Sequence, residues 1–352
     1  MSPASELPTK RLSFSAAIAS PTTTARAFEE EPLRVYLRVR PLSTDEATLG
    51  AEAIHVESAT AVRAIAPEGS QAHKNGEETA TFTFDRVFDP TTSQAELFTG
   101  VLKPVVRAAV AKGTNGLLFA YGMTNAGKTF TVSGTDRHPG LLPRALHQTF
   151  KQVREANERV RKAAGELVVA VSYLEIYNER IADLLADTVV ERKQRRKWKL
   201  AEREGHDGRV WVRGLREVEV GSLQRALEIM KQGQTNRRVA ETALNADSSR
   251  SHTVFSISLL RRTETHTTST TTQPPPTHGR SSFRLWSRLS VVDLAGSERQ
   301  GRTASSGARL REAGRINASL MQLMQCLEAL RWNAKHPSAL RHVPFRDTKL
   351  TR

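Results

Sequence analysis

The stretch Gly122-Met-Thr-Asn-Ala-Gly127-Lys128-Thr129 constrains this chain more than any other segment. It has the spacing G-x-x-x-x-G-K-[ST]. Glycines let the backbone wrap closely, with its N–H groups pointing inward at an anion. A lysine at this position reaches the outer phosphates of a nucleotide, and the threonine hydroxyl suits Mg²⁺. The plain alternative is a glycine-rich turn carrying a surface lysine. Context argues against it. The apolar run Gly116–Tyr121 (GLLFAY) lies directly before the loop and reads as a buried strand. Thr129-Phe130-Thr131-Val132 can carry a helix after it, with its positive end toward the anion.

A strand–loop–helix unit of this kind needs a sheet to sit in, and the chain supplies one. Val35, Leu37 and Val39 alternate with Arg34, Tyr36, Arg38 and Arg40, a strand pattern stopped by Pro41. Leu167–Tyr177 (LVVAVSYLEIY), Val254–Leu260 and Arg288–Leu294 read as further strands. Residues 143–164 and 223–238 read as helices, and residues 65–79 as a polar loop. Ile316, Leu320, Leu323, Leu327 and Leu330 recur at helical steps and make one apolar stripe, taken as core packing. Strands alternating with helices argue for an α/β fold of the P-loop NTPase type: a central mixed, mostly parallel sheet with helices on both faces. No internal repeat is present.

Around this core lie segments of a different character. Residues 1–31 are poor in bulky apolar side chains and read as a disordered arm, with the ordered domain expected over 32–352. The arm is rich in Ser, Thr and Ala, so a transit peptide is the competing reading. Residues 263–280 (TETHTTSTTTQPPPTHGR) are low complexity and read as a loop insertion. The basic run at 191–199 (ERKQRRKWK) reads as a solvated loop or a binding segment.

Charge bounds the partners. Lys plus Arg is 52 against 37 for Asp plus Glu, a net charge of +15. That balance points to a polyanionic partner: nucleic acid, a membrane surface or an acidic protein lattice. Aromatic residues are only 6% and do not interleave with the basic ones, which disfavours a single-stranded nucleic-acid platform. Cys326 is the one cysteine, so no internal disulfide is possible. No apolar run approaches the roughly 18 residues that a spanning helix needs, and cytosol or nucleus is the default compartment.

A phosphate loop needs a second acidic anchor near the metal. Asp293 ends the run RLSVVDL, where such an anchor belongs. A lone aspartate there would more often cap a turn. Here it is followed by Leu-Ala-Gly296, and a glycine can bring its N–H to a terminal phosphate as a sensor of ATP against ADP.

With these motifs in view, the chain resembles the kinesin motor family. AYGMTNAGKTFT (120–131), NADSSRSH (245–252) and DLAGSER (293–299) are similar to the family's three nucleotide-site motifs, in the same order and spacing. RVRP (38–41), FDRVFD (84–89), YLEIYNERIADLL (173–185), EAGRINASL (312–320) and HVPFRDTKLTR (342–352) agree. The stretches GLLFAYGMTN, GLLPRAL (140–146) and SSGARLREAG (305–314) look nearest to the kinesins of the central spindle and cytokinesis.

The resemblance implies an ATP- and Mg²⁺-dependent, microtubule-stimulated motor of the cytoplasm and its microtubule cytoskeleton, with no nucleic acid and no membrane as partner. Its alternatives are a non-motile microtubule-binding P-loop protein and a nucleic-acid-stimulated ATPase. It places Arg38 and Pro41 beside the adenine, with Phe130 opposite. Gly122, Met123, Thr124, Asn125, Ala126, Gly127, Lys128 and Thr129 would hold the phosphates. Thr129 and Ser249 would ligate Mg²⁺, with Asp293 behind a water. Ser248 and Ser249 would place the attacking water, Asn245 would support that loop, and Gly296 would sense the γ-phosphate. Arg250 and Glu298 would pair to close the site. Arg346, Lys349 and Arg352 would face the acidic tubulin surface. Met123 and Asn125 depart from the residues many members carry. The resemblance also implies a motor domain truncated before its last strand, last helix and neck. The missing strand would lie between those at 34–40 and 116–121, and dimerisation would rest on the missing region.

Overall fold

The computed structural model describes residues 33–48, 53–66, 68–76, 78–159, 165–186, 200–205, 210–244, 250–263, 282–298 and 308–352. The expected arm at 1–31, the basic run at 191–199 and nearly all of the insertion at 263–280 lie outside the described residues. The chain falls into two compact units, divided after Val101.

In the unit before that division, β1 (Tyr36–Arg38) pairs in parallel with β5 (Arg86–Phe88). Only three residues of β1 find ladder partners, so this strand is shorter than its alternation predicts. An antiparallel sheet of β2 (Ile54–Val56), β3 (Ala61–Ile65) and β4 (Thr79–Thr83) accompanies it. The expected loop at 65–79 contains a helical turn, α2 (Gln71–Lys74), and α1 (Thr44–Thr48) lies ahead of β2. Helix α3 (Gln94–Val101) opens on a reciprocal cap. The Glu96 N–H donates to Ser93 Oγ (3.2 Å) and the Ser93 N–H donates to Glu96 Oε2 (2.9 Å). Leu97, Phe98 and Val101 form its buried face.

The unit from Leu102 onward is built on a six-stranded sheet in the order β11-β7-β12-β13-β6, with β8 beside β7. The strands are β6 (Gly116–Ala120), β7 (Leu167–Tyr177), β8 (Arg180–Asp183), β11 (Val218–Val220), β12 (His252–Thr263) and β13 (Ser282–Asp293). A separate hairpin pairs β9 (Ala201–Glu204) with β10 (Val210–Arg213). The helices are α4 (Lys103–Lys112), α5 (Lys128–Val132), α6 (Leu141–Arg159), α7 (Leu223–Leu244) and α8 (Ala308–Lys335).

The sheet is mixed, as expected, but its pairings are mostly antiparallel; only β6 and β13 run in parallel. The reason lies in the connections. Parallel neighbours need a crossover, whereas β7–β8 and β12–β13 follow one another as hairpin pairs. Strand β7 is buried along almost its whole length, which is why it reads as a continuous apolar run. Strand β6 differs from the buried strand expected: Leu117 is 66% exposed, because β6 has β13 on one side only among the described residues.

Helix α6 buries Leu141, Leu142, Ala145, Leu146, Thr149 and Val153, one face at helical spacing. Helix α4 ends at Gly113, whose φ of 72° is left-handed. Its last carbonyls accept from β13: Trp286 Nε1 donates to Val110 O (3.0 Å) and Ser287 Oγ to Ala109 O (2.8 Å). Helix α8 turns a slightly different face inward than its leucine stripe predicts. Ser319, Leu320, Cys326 and Ala329 are buried, whereas Leu330 is exposed. Leu320 packs with Val292 and Leu294 at the carboxyl end of β13.

Candidate nucleotide site

Parallel pairing of β6 with β13 runs through Ala120 and Asp293, so both strands end at the same level. The loop Gly122–Thr129 therefore leaves the sheet beside the segment 293–298, at the carboxyl ends of the strands, where ligands of open α/β sheets bind. Two backbone links tie the segments: the Leu294 N–H donates to Ala120 O (3.4 Å) and the Ser297 N–H to Gly122 O (3.1 Å).

The loop conformation depends on residues that tolerate positive φ. Gly127 sits at 89° and Asn125 at 63°. Asparagine is among the few non-glycine residues that accept this region, which accounts for Asn125 at its place in the loop. Lys128 folds back over the loop. Its Nζ donates to Gly122 O (2.9 Å) and Met123 O (2.7 Å), and burial pulls its pKa below the ordinary lysine value. Thr129 Oγ1 donates to Asp293 Oδ2 at 2.6 Å.

Asp293 is 4% exposed, and its Oδ1 has no hydrogen-bond partner among the described residues. A buried, singly engaged carboxylate beside a threonine hydroxyl suits the outer sphere of a hydrated Mg²⁺, which keeps waters and takes few protein ligands. A guanidinium not anticipated from sequence completes the charge balance. Arg237 of α7 lies 3.6 Å from Asp293 Oδ2 and 3.8 Å from Glu175 of β7, and it donates to Ser251 Oγ (3.1 Å). No spacing rule singles it out, because helix α7 is polar over most of its length.

Glu298 is spent on the phosphate loop. Its carboxylate accepts from the Thr124 N–H (2.8 Å) and from the Thr124 hydroxyl. Burial pushes its pKa up, but the Thr124 hydrogen bonds outweigh this and leave it lowered. The resemblance implies a pairing of Glu298 with Arg250; in this structure the carboxylate is held by Thr124. The reason is proximity: residues 293–298 are laced to the loop, and Thr124 offers two donors at once. Gly296 lies within the same contact. A Cβ there would stand 2.4 Å from both Thr124 Oγ1 and Glu298 Oε2, so a side chain could enter only by displacing that clasp.

Asn245, Ser248 and Ser249 lie outside the described residues. Arg38 and Pro41 belong to the earlier unit, where Arg38 donates to Gln94 Oε1 (3.0 Å). Phe130 is exposed on α5.

The cations expected to face an acidic partner make ion pairs within the chain. Arg346 Nη2 donates to Glu204 Oε1 (2.7 Å) and Lys349 Nζ to Glu202 Oε2 (2.9 Å). Arg352 lies 3.8 Å from Glu202 and 3.6 Å from Glu204. Glu202 and Glu204 are two apart on β9 and so project to one face of the strand, toward the segment 342–352. Arg346 stays 71% exposed while Glu202 is 4% exposed, so the outward rim of the cluster is basic.

The model of the kinesin motor domain matches residues 38–352. A kinesin-like protein KIF23 of Mus musculus is 36% identical over 92% of this chain and 39% of its own length. A kinesin-like protein KIN-7L of Oryza sativa subsp. japonica is 39% identical over 78% of this chain and 38% of its length. The chain thus spans about two fifths of these curated relatives. A solved structure of a fast kinesin superposes with a TM-score of 0.70 at 34% identity, covering 91% of this chain and 80% of that one. A solved kinesin 6 superposes with a TM-score of 0.66 at 30% identity, covering 91% and 88%.

Proposed function

The chain belongs to the kinesin motor-domain family, and on that premise we propose that it binds and hydrolyses ATP with stimulation by microtubules, as the motor unit of a spindle or cytokinesis kinesin. The observation that carries the reading is the joint closure of Gly122–Thr129 on Asp293 and Glu298, through Thr129 and Thr124. That arrangement couples the phosphate cradle to the segment that would sense the terminal phosphate.

In this reading the N–H groups of Gly122–Thr129 cradle the phosphates. Lys128 exchanges its two loop carbonyls for phosphate oxygens. Thr129 and Ser249 would hold Mg²⁺, with Asp293 behind a water of its shell and Arg237 beside that carboxylate. When bound there, Mg²⁺ would supply positive charge against the phosphates during phosphoryl transfer. Phe130 offers its ring to the adenine. Asn245 supports the loop from which Ser248 and Ser249 position the attacking water. Glu298 then leaves Thr124 for Arg250 when Gly296 closes on the γ-phosphate, an order–disorder switch of the kind that phosphate sensing uses.

The partner is the acidic microtubule surface, approached by Arg346, Lys349 and Arg352. This places the protein on the microtubule cytoskeleton. Among the described residues, no helix is long and apolar enough to cross a membrane. Turnover measured alone, with polymerised tubulin and with DNA tests the assignment. Stimulation by polymerised tubulin only is the expected result. Stimulation by DNA instead would replace it with a nucleic-acid-stimulated ATPase, and tight tubulin binding without turnover would leave a non-motile microtubule binder.

A further inference from the structure

Strands β12 and β13 pair as far as Thr253 and Asp293, then part. Beyond that point a side chain continues the hydrogen bonding. The imidazole of His252 is 2% exposed, and its Nδ1 accepts the Ala295 N–H at 3.0 Å. Its Nε2 lies 3.0 Å from Ser319 Oγ on α8. A neutral ring that accepts at Nδ1 carries its proton on Nε2, so His252 donates to Ser319. Burial, helped by the nearby Arg237 charge, lowers its pKa to about 4 and keeps the ring neutral. Both ring nitrogens are thus committed, one to each side.

The ends of this tie matter. Ala295 is fully buried and precedes Gly296 directly, where a Cβ would strike the Thr124–Glu298 clasp. His252 follows Ser251, which is bonded to the Arg237 that neighbours Asp293. Ser319 is buried beside Leu320, the residue that packs α8 on Val292 and Leu294. A close-packed surround transmits displacement and does not absorb it.

We infer that His252 is a positioning residue for stimulated turnover, the rigid link through which displacement at Gly296 reaches α8 and through which a partner bound at the segment 342–352, which α8 touches through Gln322 and Asp347, reports back to the phosphate site. This rests on the motor reading above. The plain alternative is a satisfied core histidine that contributes stability alone. The two differ in what they do to the ratio of stimulated to basal turnover.

Ser319 provides the cleaner test, because it lies on α8 and takes no part in nucleotide binding. The measurements are basal turnover, turnover with polymerised tubulin, the KM for ATP and the unfolding midpoint. They are made on the full chain and on Ser319→Ala, Ser319→Thr, His252→Gln and the His252→Gln/Ser319→Ala pair. Ser319→Ala is expected to leave basal turnover and KM within about twofold and to cut tubulin stimulation roughly tenfold, the range of a coupling effect. Ser319→Thr, which keeps the hydroxyl, restores stimulation. The double variant is no worse than His252→Gln, since one link is broken once. A folded Ser319→Ala with full stimulation overturns the inference even if His252→Gln fails to fold, and so do independent losses in the double variant. An unstimulated wild type overturns the motor reading and takes this inference with it.

Discussion

Lys128 holds two carbonyls of its own loop, so in the proposed reading it has a structural task beside its chemical one. Lys128→Ala removes two charge-assisted hydrogen bonds and the cation meant for the phosphates. At about 1.5–3 kcal/mol for each such bond, ATP binding should weaken by at least about a hundredfold, read by nucleotide titration. His252 makes a prediction about pH. Its folded pKa of about 4 lies below the ordinary 6.5, so the fold favours the neutral ring. The stabilisation is complete above pH 6.5 and is lost as pH falls through that value toward 4, where folded protein must also protonate. The full loss is about 3 kcal/mol by linkage. Chemical denaturation between those pH values should show the loss, and His252→Gln should flatten it.

Among the elements, the hairpin β9–β10 carries the clearest consequence. Glu202 and Glu204 hold Arg346, Lys349 and Arg352, the same cations proposed for the microtubule. An exposed pair is worth up to about 1 kcal/mol. Glu204→Gln should therefore raise microtubule affinity roughly twofold to fivefold and steepen its salt dependence. The Arg346→Ala/Lys349→Ala pair should do the reverse. Co-sedimentation across a salt series checks both, and equal affinity for Glu204→Gln and wild type would mean that the glutamates do not compete. The phosphate loop and the segment 293–298 form a second linked pair of elements. Arg250→Ala and Glu298→Ala should each cripple hydrolysis while sparing nucleotide binding, and the double variant should be hardly worse than either, since the two act as a unit. Additive losses in single-turnover assays would argue against a pairing in the closed state.

At the scale of the whole molecule, the net charge of +15 acts over distances longer than any one contact. Screening shortens that reach, so added salt should depress tubulin-stimulated turnover while basal turnover changes little. A parallel fall in both would place the salt effect inside the nucleotide site and not at the partner surface. The same scale explains the sheet. Its direction of pairing is set by which strands become neighbours, β7 with β8, β11 and β12 and β12 with β13, all antiparallel, which alternation of apolar residues does not encode.

The phosphate loop was legible because its chemistry is local. Gly122, Gly127, Lys128 and Thr129 act through backbone geometry and donors within eight consecutive residues, and the spacing records them. Strand β7 and helix α6 were legible for a similar reason: burial writes itself locally, as a continuous apolar run in β7 and as an apolar face at helical spacing in α6. Asp293 was legible by its place at the end of an apolar run. The partners were not. Thr124 with Glu298, Arg237 with Asp293, His252 with Ser319, and Arg346 with Glu204 are far apart in the chain, and each pair is joined by one or two polar contacts. One contact between distant residues leaves no periodic trace. Which carboxylate a cation meets is decided only when the sheet stacks its strands and sets β9 against the segment 342–352.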